Sequence, residues 1–357
     1  MSKINFNSTV TINELRKTIP LIGADLTPII LSEPGCGKTS LLSMIRQDLG
    51  EDYDYIYVDC PVKDMSDIGM TIPNHTTQTL EYYVSSLFML DSPKPKVILL
   101  DEFMKSPKLL QVIFTRLMLE RMVGDKPLPK GSIVFGTSNN ASDGVGDTML
   151  AHAGNRVCIM EMSKPSVNEW LEWSSANGVS RIVRAFVAMF PRTLSSYRNG
   201  DQDDNPYIFN PKKTALSFCS PRSLAKCDVI VKNRDYLGEN ATMVALSGTI
   251  GASGAGDMSA FLSLEKTLVD VKDIVKDPDS IKVPEEISAQ LMIMFQAVDV
   301  LENQDELTKF MKFVNKIPSS EVQAVFFTMM MRNTKAIKLA RNNLQIADWA
   351  KNNHELF

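Results

Sequence analysis

Ser32-Glu-Pro-Gly-Cys-Gly-Lys-Thr39 sets two glycines, a lysine and a hydroxyl between a short apolar run and the helical segment Ser40-Leu-Leu-Ser-Met-Ile. A strand, a GxxxxGKT turn and a helix in that order form a cradle for phosphates. Backbone N–H groups and the helix N-terminus hold the anion, so the candidate binding stretch is Glu33-Pro34-Gly35-Cys36-Gly37-Lys38-Thr39-Ser40. Lys38 is placed to reach the outer phosphates, and the Thr39 hydroxyl to ligate Mg²⁺. Ser32 stands where the pattern has its first glycine, and a Cβ there could crowd the turn.

Val97-Ile-Leu-Leu-Asp-Glu102 adds two carboxylates at the end of a second apolar run. Asp101 is the candidate Mg²⁺ partner, and Glu102 the candidate general base for a water. Thr137-Ser-Asn139 supplies a neutral amide that can hold a water or a phosphate oxygen without adding charge, with Asn140 as the neighbouring alternative. Two arginines are placed to add cations. Arg156 precedes a further apolar run, and Arg222 follows Ser220-Pro221, where Ser220 reads as an N-cap and Pro221 as the first helical residue.

These residues need a scaffold, and the first half of the chain has the pattern of one. Runs at 28–31, 55–58, 97–100, 133–136 and 157–160 are apolar throughout, as in parallel strands covered on both faces. Thr11-Ile-Asn-Glu14 is a capping box before the first run, and Ser106-Pro107 predicts a helix start with Ser106 as N-cap. Beyond Met162 the strand signal fades. Ser166-Val-Asn-Glu169 is a second capping box, and the remainder reads as helical. Its interruptions are a polar loop at 199–211, a small-residue segment at 248–256 and a Pro/Asp segment at 277–284. Met329-Met330-Met331 reads as core packing. The expected organisation is an α/β core over 1–162, a helical region over 163–265 and a C-terminal helical extension over 266–357.

Composition narrows the class. In 357 residues, 44% are hydrophobic and 22% charged, which excludes wholesale disorder. A net charge of -4 gives no support to a polycationic DNA binder. No apolar run has the length of a membrane span, and the N-terminus lacks the layout of a signal peptide. Five cysteines without a CxxC pair and three histidines predict neither a disulfide framework nor a histidine-based metal site. The expectation is a reduced, soluble, cytoplasmic protein with no membrane partner. Cys36, close to a helix N-terminus and Lys38, is expected to carry thiolate character, with a merely space-filling role as the alternative.

The order SEPGCGKT, VILLDE, TSN, GNR and SPR resembles that of AAA+ ATPases. Ser66-Asp-Ile-Gly69, Leu119-Glu-Arg-Met-Val-Gly124, Glu169-Trp-Leu-Glu-Trp173 and Ser220-Pro-Arg-Ser-Leu224 resemble the MoxR-like, or dynein-related, branch, including its bacterial and phage members. The resemblance implies a P-loop NTPase fold with a five-stranded parallel sheet and a helical lid, and Mg²⁺-dependent hydrolysis of ATP. It implies Walker A roles for Lys38 and Thr39, Walker B roles for Asp101 and Glu102, and a sensor role for Asn139. Arg156 becomes an arginine finger acting on the next subunit of a homo-oligomeric, commonly hexameric, ring, with Arg121 as the substitute candidate. Arg222 becomes the lid's sensor. The branch carries an inserted loop, for which Met70–Thr79 is the candidate beside an ordinary surface loop. Its members act as chaperones that remodel protein clients, often with a von Willebrand factor A partner. A nucleic-acid motor or loader is the alternative, and an ATP-binding scaffold with little turnover is a third reading.

Overall fold

The computed structural model describes residues 8–139, 156–213, 215–265, 268–333 and 335–352. The chain divides into two compact units, 1–164 and 165–357. The first begins with helix α1 (Ile12–Ile22), entered through the expected capping box: the Thr11 side chain accepts from the Glu14 N–H and the Glu14 carboxylate accepts from the Thr11 N–H. Strand β1 (Pro28–Ser32) and helix α2 (Ser40–Leu49) follow, then β2 (Asp54–Asp59) and the short α3 (Met65–Ile68). Next come β3 (Gly69–Asn74), β4 (Thr79–Val84), β5 (Lys96–Asp101) and α4 (Lys108–Glu120). The unit ends with β6 (Met122–Val123), β7 (Lys126–Pro127), β8 (Ile133–Asn139) and β9 (Cys158–Glu161).

Five of these strands form one parallel sheet in the order β2-β5-β8-β1-β9. Every residue of β1, β5 and β8 is buried, which explains why their sequences do not alternate. Alternation survives in the packing instead. Ile29, Leu31, Ile98 and Leu100 join Phe103 and Phe114 in one apolar cluster, whereas Ile30, Val97 and Leu99 join Leu15, Leu41 and Ile45 in another. Each such side chain, fully buried, contributes roughly 1.5–3 kcal/mol, so both faces of the sheet are firmly clad. Arg16 and Asp48 tie α1 to α2 with two charge-assisted hydrogen bonds of 2.5 Å.

Two local expectations change. Helix α4 starts one residue later than Ser106-Pro107 suggests. Pro107 has the extended backbone of an N-cap, and the Ser106 hydroxyl donates to the Phe103 carbonyl at 2.6 Å, closing the preceding turn. The stretch Met70–Thr79 lies within an antiparallel hairpin, β3 on β4, with register from Gly69↔Val84 to Asn74↔Thr79. Its turn is made by the Asn74 side chain, which accepts from the N–H groups of Thr76 and Thr77. A second, two-residue hairpin joins β6 and β7 through Gly124, whose φ is +60°. The Tyr82 ring of β4 lies against Gly124, where an added Cβ would sit 2.0 Å from it.

Among its described residues the second unit contains helices and no strand, and one apolar core runs through it from Trp170 to Trp349. The expected capping box at Ser166/Glu169 is present, and Ser220 is the expected N-cap, with Ser223 closing a capping box there as well. The polar segment 199–211 is no free loop. Asn205 and Asn210 are buried, the Asn205 amide donates to the Arg192 carbonyl at 2.9 Å, and the Tyr207 hydroxyl donates to Asp257 at 2.6 Å. The small-residue segment 248–256 lies within Arg234–Glu265, where the helical path breaks at Gly251 (φ 82°) against the Ser217 carbonyl. Met329 and Met330 are buried in the core, as their sequence suggests, whereas Met331 is exposed. Among the described residues no cysteine takes part in a disulfide. Among the described residues no helix is long and apolar enough to cross a membrane.

Gly124→Ala combines left-handed backbone strain with a clash against Tyr82, and should cost about 1–3 kcal/mol in denaturant unfolding. Adding Tyr82→Ala should not raise that cost by the full amount Tyr82→Ala costs alone, because the clash is shared. Strict additivity of the two changes would show that the ring and the turn do not touch.

Candidate functional site

The parallel strands end together on one edge of the sheet, and the chemistry collects there. Register places Ser32 opposite Asn139 and Asp59 opposite Asp101. From Ser32 the chain turns through Glu33–Thr39 into α2. Gly35 (φ 75°) and Gly37 (φ 93°) take left-handed conformations that a side chain would strain, which is why glycine stands at both. Ser32, in place of the pattern's first glycine, is buried, and its hydroxyl donates to the Glu33 carbonyl at 3.0 Å. The substitution is therefore absorbed by the strand end. Thr39 precedes α2 without capping it through its side chain, because its hydroxyl is directed elsewhere.

That target is Asp101. Its Oδ2 accepts from the Thr39 hydroxyl at 3.0 Å and from the Tyr57 hydroxyl at 3.0 Å, while its Oδ1 accepts from the Thr137 hydroxyl. Three hydroxyls thus hold one buried carboxylate in place. Burial and the neighbouring Asp101 charge push the Tyr57 phenol up, so it stays protonated and remains a donor. Thr39 donates its hydroxyl hydrogen bond to Asp101 and keeps oxygen lone pairs available. Thr39 and Asp101 together form the hard, oxygen-only, anionic donor set that Mg²⁺ prefers, with room in its shell for waters. The residues fit the metal.

Glu102 follows in a left-handed conformation (φ 52°), with its N–H on the Thr137 hydroxyl at 3.4 Å. Its Oε2 lies 2.7 Å from the Lys105 ammonium and accepts from the Asn139 amide nitrogen at 3.4 Å. The Asn139 oxygen faces the other way and accepts from Lys38 Nζ at 2.6 Å, and Lys38 also donates to the Ser32 carbonyl at 3.3 Å. Lys38, only 6% exposed, is held at the mouth of the turn, next to the glycines that cradle an anion. The set can bind a polyphosphate, hold a cation beside it and take a proton from water.

Lys38, Thr39, Asp101, Glu102 and Asn139 therefore converge, and Tyr57, Thr137 and Lys105 join them. Asn140 lies outside the described residues. Arg156 is exposed on the turn before β9, and Cys158 pairs with Pro28, the opposite end of β1 from Ser32. It does not enter its own chain's site. Arg222 is exposed in the first turn of Pro221–Lys232, in the second unit. Arg121, the substitute finger, is already committed: its guanidinium donates to the carbonyls of Gly23 and Ala24 and to the Thr27 hydroxyl at 2.8–3.1 Å. Its role is to anchor the end of α4. Tyr57 left no signal in the sequence, since a tyrosine in an apolar run reads as packing. Thr137 was visible only as part of the Thr-Ser-Asn run.

Cys36 reverses its expectation. It is 3% exposed among Leu15, Ile19, Ile30 and Leu41, and burial, helped by the Glu33 carboxylate, pushes its thiol up to about 12. The side chain faces the core rather than the phosphate cradle, so the lysine and helix N-terminus cannot offset desolvation.

Sheet order, turn and carboxylate pair define a P-loop core of the α/β class with a helical C-terminal part. No protein-family model and no curated protein sequence matches the chain. Solved structures to which the chain is similar include the Thermotoga maritima RuvB Holliday junction branch migration motor, at 14% identity over 85% of this chain and 86% of that one, with a TM-score of 0.37. Another is NtrX from Brucella abortus in complex with ADP, at 12% identity over 99% of this chain and 70% of that one, with a TM-score of 0.33. Likenesses this distant say nothing of activity.

Cys36 should resist iodoacetamide at neutral pH, with or without nucleotide, until the protein unfolds; labelling of the native protein, mapped by mass spectrometry, would contradict its burial. Its thiol is raised in the folded state, so the stability it contributes is complete below about pH 9 and declines as pH climbs toward 12.

Proposed function

We propose that the chain is an ATP-binding, Mg²⁺-dependent ATPase of the AAA+ kind that works as a homo-oligomeric ring. The observation that carries the reading is the convergence of Lys38, Thr39, Asp101, Glu102 and Asn139 at one sheet edge through direct hydrogen bonds. Lys38 and the glycine turn bind the phosphates, and Thr39 and Asp101 hold the cation. A Mg²⁺ ion held there would supply positive charge against the phosphates. Glu102 accepts a proton from the attacking water, and Asn139 places that water or the γ-phosphate. Arg156, on the far edge, suits a residue that serves the neighbouring subunit's site. Arg222 serves as the lid's contact to nucleotide.

The work done with ATP is remodelling of a protein client, in the manner of MoxR-like chaperones, with a von Willebrand factor A protein as a candidate partner. The β3–β4 hairpin supports a protein client: Met70, Ile72, Leu80 and Tyr83 are all at least 40% exposed. Apolar surface of that kind suits a protein better than a polyanion. A pull-down with Glu102→Gln tests this, since trapped nucleic acid would favour a motor instead.

Lys38→Ala should abolish ATP binding, whereas Glu102→Gln should bind ATP and lose turnover. Titration and phosphate release separate the two, and normal hydrolysis by Lys38→Ala would overturn the site. Arg156→Ala should lower turnover by about 10³–10⁵ if it completes the neighbour's transition state. Mixed Arg156→Ala and Lys38→Ala chains should regain activity, because an intact Lys38 site then receives Arg156 from next door. Co-assembled rings that stay inactive would remove Arg156 from the reaction.

A further inference from the structure

Lys105 has no part in the reading above, yet it makes the shortest contact to the carboxylate of Glu102. The turn Phe103–Lys105 is rigid: Phe103 and Met104 are buried, the Lys105 N–H donates to the Glu102 carbonyl at 2.9 Å, and Ser106 closes it on the Phe103 carbonyl. That turn carries the Lys105 ammonium back over Glu102, to 2.7 Å from Oε2. The left-handed backbone of Glu102 is itself unfavourable for a side-chain-bearing residue, and it persists because the surrounding contacts impose it.

We propose that Lys105 is a positioning residue that restrains the Glu102 carboxylate and keeps basal hydrolysis slow. The inference rests on the assignment of Glu102 as the base. The contacts run in series from Lys105 to Glu102, to Asn139, to Lys38. A γ-phosphate engages the Lys38 ammonium and so removes the partner of the Asn139 oxygen, leaving Asn139 free to turn. The second restraint on Glu102, its ion pair with Lys105, is untouched by that change. Hydrolysis breaks a water O–H bond and passes its proton to Glu102. The water oxygen bonds to the γ-phosphorus as the bond to the bridging oxygen breaks, and that electron pair leaves with ADP. A carboxylate oxygen held by an ammonium at 2.7 Å is kept away from the water whose proton it must take. Removing the ammonium frees it.

The test compares Lys105→Met, which keeps length without charge, with Lys105→Arg, in the full chain at saturating ATP and Mg²⁺. Lys105→Met should raise kcat about two- to fivefold with KM for ATP unchanged, the range for loss of one partly exposed ion pair. Lys105→Arg should stay near wild type, and Lys105→Met combined with Glu102→Gln should be inactive. A role confined to folding would lower the melting temperature without raising kcat, so melting is recorded for every variant. Should Lys105→Met fail to fold, Lys105→Gln replaces it in the same comparison. Folded Lys105→Met with kcat at or below wild type overturns the restraint while leaving Glu102 as base. If Glu102→Gln hydrolyses ATP as fast as wild type, or if no variant turns over the ATP it binds, the assignment of Glu102 falls and the restraint falls with it.

Discussion

A single buried carboxylate organises this protein. Asp101 is 6% exposed, and a charge so placed must be matched by donors. The donors come from three separate segments: Tyr57 from β2, Thr39 from the start of α2 and Thr137 from β8. Satisfying Asp101 therefore requires that these segments sit in the right order and register. The parallel order β2-β5-β8-β1-β9 meets that demand, because β2 and β8 flank β5 and the β1 turn lies one strand further. The requirement that orders the sheet edge also brings together Thr39 and Asp101, the residues proposed to hold the cation. Thr39, drawn to Asp101, cannot cap its own helix, and its lone pairs are left for a metal.

Around that anchor the remaining charges alternate. Lys105, Glu102, Asn139 and Lys38 form a line in which each cation meets an oxygen and the neutral amide sits between the charged ends. A line of this kind has two ends: Asn139 depends on Lys38 at one, while Glu102 is held independently by Lys105 at the other. Rigidity comes from the two apolar clusters cladding the sheet, which hold the strand ends in place.

The second unit shows the same economy of polar groups in another form. Its single apolar core runs through helices on both sides of the Pro/Asp segment 277–284. Where the backbone leaves the helical path, side-chain amides take over, as Asn205 and Asn210 do in the segment 199–211. A stretch that is polar by composition is thereby pinned, because its amides are aimed inward rather than at solvent.

Much of this was legible in the chain itself. Five uninterrupted apolar runs announced a doubly covered parallel sheet, since burial on both faces erases alternation. Gly35, Gly37, Lys38 and Thr39 are local in sequence, and their geometry is imposed by φ angles and by one helix start. The capping boxes at Thr11 and Ser166 are likewise contacts within four residues. What only the tertiary structure decided depends on neighbours distant in sequence. Tyr57 meets Asp101 across 44 residues. Arg121 is consumed by carbonyls 97 and 98 residues away. Cys36 lies beside a lysine in sequence, yet its side chain turns into the core, and burial outweighs the nearby charge. Spacing reveals which groups can share a turn or a strand end. Which way a side chain faces, and which partner claims it, is settled by packing.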